Sequence, residues 1–75
     1  MIRFSLPAAA EVKLGVYNLA GQEVVTLAAG ATRAGAHEVR WDGRDGRGKS
    51  LASGVYLYQL RSGGQVETRK LLLLK

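Results

Sequence analysis

Apolar and polar positions alternate with a period of two along most of the 75-residue chain, so strands are predicted. In "IRFSL", Ile2, Phe4 and Leu6 alternate with Arg3 and Ser5, and Pro7 closes the segment. In "EVKLGVYNL", Val12, Leu14 and Val16 share one face while Lys13, Gly15 and Tyr17 share the other. Ala20–Gly21 is a turn signal, and "QEVVTL" reads as the returning strand of a hairpin. The stretch "AAGATRAG" at 28–35 is small and unpatterned, and its glycines predict a loop. "AHEVRW" follows as a fourth strand, with His37, Val39 and Trp41 on one face.

The stretch "WDGRDGRGKS" then interrupts the alternation with glycine and charge. "GVYLYQLR" restores it: Tyr56, Tyr58 and Leu60 alternate with Val55, Leu57, Gln59 and Arg61. Gly63–Gly64 is a two-residue hairpin signal, and "QVETRKLLLLK" is the last strand. That strand is polar on both faces before Arg69, apart from Val66, and apolar on both faces at Leu71–Leu74. Such a run fits a buried central strand, a bulge, or an edge that offers an apolar face outward. Lys70 and Lys75 flank it as gatekeepers against unwanted pairing. Short strands punctuated by turns predict an all-β chain: one small Ig-like β-sandwich spanning residues 1–75, with about seven mostly antiparallel strands.

Composition narrows the function classes. A chain this short buries a modest core, and it has no cysteine, which removes disulfides and thiolate zinc sites. A single histidine removes a His-rich metal cluster. Eleven basic against six acidic residues give a net charge of +5, spread along the chain without a block. That balance permits phosphate, lipopolysaccharide or other anionic partners and selects none of them. The amino-terminal residues lack the apolar stretch of a secretory leader, and "LLLL" is far shorter than the roughly 20 residues of a membrane-spanning helix.

The Asp-Gly burst invites three chemical readings. As a calcium loop it offers Asp42 and Asp45 but no closing Glu, and Arg44 and Arg47 would repel a cation. As a phosphate cradle, Gly43 followed by four residues and then Gly48-Lys49-Ser50 satisfies the letters of a P-loop. The strand-loop-helix context fails, because strand alternation follows the loop. As a turn, Asp side chains accept backbone N–H groups while Gly43, Gly46 and Gly48 supply positive φ, and this reading is the best supported. Catalysis finds no constellation: His37 is alone, and nothing pairs Glu11, Glu23, Glu38, Asp42, Asp45 or Glu67 in a cleft. Of the five aromatics, Phe4, Trp41, Tyr56 and Tyr58 fit core parity. Tyr17 alone remains for stacking, too little for a nucleic-acid platform. Neither a cofactor nor a nucleic-acid partner is expected.

"VYNLAGQEVVTL", "AGAHEVRWDGRDGRGKSLASGVYLYQL" and "TRKLLLLK", in that order, resemble the C-terminal sorting domain of type IX secretion cargo. That family is itself similar to the Ig-like domain of the flagellar hook-cap protein. The resemblance implies a non-enzymatic export signal fused behind an N-terminal cargo domain. Such a signal is read in the periplasm by shuttle proteins and an outer-membrane translocon. The cargo ends secreted or on the cell surface, often after the domain is cleaved off and the cargo attached to lipopolysaccharide. It also implies recognition residues: Gly54, Val55 and Tyr56, and the terminal Lys70, Leu71, Leu72, Leu73, Leu74 and Lys75. Gly35 matches the turn before the fourth strand, and Trp41, Asp42 and Gly43 match the loop shared with the hook-cap type. The terminal run is all leucine where a β-branched residue is common in the family. The alternative is an accessory Ig-like module, structural or carbohydrate-binding, of a secreted hydrolase, with Trp41 and Tyr17 stacking on sugar rings.

Overall fold

A computed structural model describes residues 2–74, so Lys75 lies outside the described residues. The elements are β1 (Ile2–Leu6), β2 (Ala10–Tyr17), β3 (Glu23–Thr32), β4 (Gly35–Val39), β5 (Gly54–Ser62) and β6 (Gln65–Leu73). The described residues hold no helix, and none is therefore long and apolar enough to cross a membrane. β1 pairs with β4 in a two-stranded sheet, and β3-β2-β5-β6 form a four-stranded one. Every pairing is antiparallel. The all-β sandwich expected from the alternation is present, with six strands among the described residues rather than about seven.

The core lies where the two sheets face. Ile2 and Leu6 from β1 meet Val12 and Leu14 from β2 and Leu60 from β5. Phe4, Leu27, Ala28, Val39, Tyr58 and Leu71 pack around them. Leu14 and Val16 are wholly buried, because β2 has a strand on each side. Its other face is held by Glu23, which accepts from the Tyr17 hydroxyl at 3.0 Å and pairs with Lys13 Nζ at 3.2 Å. Gly15 sits beneath this cluster, where an added Cβ would meet Glu23 Oε2.

Three expectations fail. Residues 28–32 are not a loop but the second half of β3, paired with the start of β2. The pairing slips twice, between Leu14 and Gly15 and between Val16 and Tyr17, so that Leu27 and Val24 are extra residues on β3. Each bulge resets the alternation, and that hid the length of the strand. Only Arg33 and Ala34 separate β3 from β4, and Gly35 opens β4 opposite Leu6 instead of forming the turn. β4 ends at Val39, so Trp41 lies outside it, half-buried and apart from the core cluster.

Asn18 organises the β2–β3 turn, a role that alternation could not reveal. Its side-chain oxygen accepts from the N–H groups of Ala20 and Gln22, both at 3.0 Å. The Asp-Gly burst is the structural turn expected of it. Asp42 accepts from the Arg44 N–H at 3.1 Å, and Asp45 accepts from those of Arg47 and Lys49 at 2.9 Å. Gly43 and Gly48 take positive φ; Gly46 does not, and instead donates its N–H to the Val24 carbonyl.

Candidate functional site

β6 is an edge strand, which decides among the three positions its two-sided apolar run allowed. The Gly63–Gly64 turn, with Gly63 at φ 59°, sets Ser62 opposite Gln65. Counting back along the ladder, Leu71 then faces Tyr56, Leu72 faces Val55 and Leu73 faces Gly54. The two segments singled out by resemblance are therefore direct antiparallel partners and form one surface at one end of the sheet. Lys70 faces Leu57 on the next rung.

Side-chain alternation divides this surface. Leu71 and Leu73 point toward the other sheet and are half-buried. Leu72 is 60% exposed, Leu74 77% and Val55 42%. An apolar strip thus lies open on the outer face, with the exposed Lys70 in its row and no ion pair for that lysine among the described residues. Cross-strand apolar neighbours such as Val55 and Leu72 stabilise a sheet modestly where they stay in water.

Behind the strip, the loop before β5 is clamped. The Tyr56 hydroxyl donates to the Ala52 carbonyl at 2.7 Å. Its ring meets the Trp41 ring edge-on, with centroids 5.3 Å apart. Trp41 Nε1 donates to the Arg44 carbonyl at 3.0 Å. Tyr56 is half-buried rather than fully enclosed, because only one strand flanks β5 on this side and the loop covers the rest. Gly54 has open space where a Cβ would stand, so it does not serve close strand approach. Its φ of 154° is what glycine supplies. Ala52 and Arg44, whose backbone carbonyls accept these two bonds, are the supporting residues that sequence reasoning missed, while Trp41, expected in the core, braces this loop instead.

A second feature lies between the sheets. A cleft of about 580 Å³ is floored by Leu14, Leu60 and Tyr58 and flanked by Glu67 and Arg69 of β6. On its other wall His37 stacks on Phe4 at 5.2 Å, with Nε2 2.7 Å from the Arg33 carbonyl oxygen, while Arg3 pairs with Glu38 at 3.2 Å. No group of three or more His, Asp or Glu side chains is placed to hold a metal among the described residues.

Three groups titrate away from their ordinary values. Burial and the hydrogen bond to Glu23 raise Tyr17. Burial works to raise Glu23, but hydrogen bonds from Tyr17, Lys13 and Thr26 outweigh it and lower the carboxyl. The Lys49 N–H, aided by that of Arg47, lowers Asp45. All three effects lie at turns and sheet faces that shape the fold, away from the β6 strip. Tyr17 is thereby engaged by Glu23 rather than free for stacking.

Comparison with known proteins gives one match. The FlgD Ig-like domain model covers residues 1–65 and stops where β6 begins. No curated protein and no solved structure matches.

Proposed function

This chain belongs to the FlgD Ig-like domain family, and we propose that it works as a C-terminal sorting domain of type IX secretion cargo. The sandwich presents β6, and the export machinery reads that strand. The observation that supports this most is the exposure of Leu72, beside Lys70 on an edge strand, and of Leu74 just past its end. The family match extends over residues 1–65 and leaves off as β6 begins. An extended edge offers main-chain hydrogen bonds for affinity and alternate side chains for specificity. Leu72 and Leu74 would enter apolar pockets, and Lys70 and Lys75 would meet acidic groups on the translocon or shuttle proteins. The cargo domain would precede β1, passing through the periplasm to the cell surface or the medium.

An accessory structural or sugar-binding module is the second reading. It draws less support, because the Trp41 N–H is bound to the Arg44 carbonyl and its ring is engaged by Tyr56. Fusing residues 1–75 behind an inert periplasmic reporter in a type IX-competent cell separates the two. Reporter in the medium or on the surface, dependent on an intact translocon, is the expected result. Reporter retained in the periplasm despite a folded domain would remove the sorting role.

A further inference from the structure

We infer that β6 is also a self-association edge: two copies of this chain pair antiparallel along β6 about a two-fold axis at Thr68, joined by reciprocal Glu67–Arg69 ion pairs. The inference goes beyond the sorting role and does not rest on it.

The four-stranded sheet ends at β6, a nine-residue edge without proline. Long open edges favour pairing unless something blunts them. In a two-residue hairpin the flanking pair, here Ser62 and Gln65, exchanges both backbone hydrogen bonds. Alternation along the ladder then directs the N–H and C=O groups of Val66, Thr68, Lys70 and Leu72 away from β5. These groups are ready to bond a further strand.

Glu67 and Arg69 stand two residues apart on the face directed at the cleft. Both are exposed, and neither has an ion pair among the described residues. Opposite charges at this spacing make the strand self-complementary in one register. When two identical antiparallel strands continue one sheet with its faces kept, the two-fold axis passes through a residue. Centring on Arg69 sets it against its own copy, and centring on Lys70 does the same to that lysine. Centring on Thr68 sets Glu67 opposite Arg69 of the second copy, and Arg69 opposite its Glu67. These are non-hydrogen-bonded positions, where facing side chains come closest. Val66 meets the stem of Lys70, and the two four-stranded sheets merge into one of eight. A register centred on Leu72 would bring leucines together but leave Glu67 and Arg69 without partners, and it is the chief competitor.

Sedimentation of the intact chain over a micromolar to millimolar series tests this. Wild type should reach twice the monomer mass. Glu67→Arg and Arg69→Glu should each raise the dissociation constant about tenfold or more, since every attraction becomes a repulsion. Circular dichroism should show both variants folded, because the two side chains are exposed. Mixing the two variants should restore a dimer, now a heterodimer with both ion pairs rebuilt. The chain has no cysteine, so Thr68→Cys should cross-link to itself under mild oxidation, and faster than Leu72→Cys. A wild type that stays monomeric, single variants that dimerise like wild type, a mixture that does not reassociate, or faster linking through Leu72→Cys would each overturn the inference.

Discussion

β2 and β6 both pair antiparallel with β5, and both are eight or nine residues long. Yet Leu14 of β2 is wholly buried while Leu72 of β6 is 60% exposed. The difference is position. Leu14 points at the β1–β4 sheet from a strand with β3 on one side and β5 on the other, whereas Leu72 points away from the core on a strand with one neighbour. Burial of apolar area stabilises only where water is removed, so Leu14 holds the fold and Leu72 is left over for something else. A strand that contributes little to the core can be read by a partner without unfolding the domain that carries it.

The contrast can be broken first at its buried end. Leu14→Ala should destabilise the domain by about 2–5 kcal/mol, and at this chain length that approaches the whole stability. Urea titration of wild type and variant should show the loss. A change near zero would mean that the sheets do not close on Leu14.

Next comes the clamp behind the strip. Trp41→Ala removes the edge-on contact with Tyr56 and the hydrogen bond to the Arg44 carbonyl. A cost of roughly 1–3 kcal/mol is expected, less than a fully buried tryptophan would give. Tyr56→Phe isolates the hydroxyl that holds the Ala52 carbonyl and should cost about 0.5–1.5 kcal/mol. If thermal melts order these two variants the other way, the aromatic contact is not the main support of the loop.

Acid should act on the turns and the β2–β3 face before it acts on β6. The Glu23 and Asp45 carboxyls are lowered in the folded state, so each contributes stability above its unfolded value. That stability is lost as pH falls from the ordinary carboxylate range through the lowered folded values. Glu23→Gln should flatten the acid side of the stability–pH curve, and denaturant midpoints taken at successive pH values check it. The smallest stability effect belongs to the exposed strip: Leu72→Ser should stay within about 0.5 kcal/mol of wild type.

Much of this was legible in the sequence, for stated reasons. Ile2, Phe4 and Leu6, and Val12, Leu14 and Val16, follow a clean period of two because each strand has one face on the core. The Asp-Gly burst was legible as a turn because its chemistry is local: Asp45 bonds backbone two and four residues away. β3 was legible only in its first half, since bulges at Val24 and Leu27 shift the alternation and the small residues at 28–31 carry little pattern. Trp41 has core parity but stands beyond its strand, where parity no longer reports burial. The edge position of β6 depends on strand order, a non-local property. By contrast, the meeting of Gly54–Tyr56 with Leu71–Leu73 was available by counting from the Gly63–Gly64 turn, because a two-residue hairpin fixes register.

The most direct test changes the outer face of β6 and leaves the core alone. Leu72→Ser with Leu74→Ser should be placed in the reporter fusion, with secretion and the thermal melt of the same variant measured side by side. A melt close to that of wild type with reporter retained in the periplasm is the expected result, because both side chains lie in water in the folded domain. Full secretion by this folded variant would contradict the account and move the signal from β6 to the rest of the sandwich.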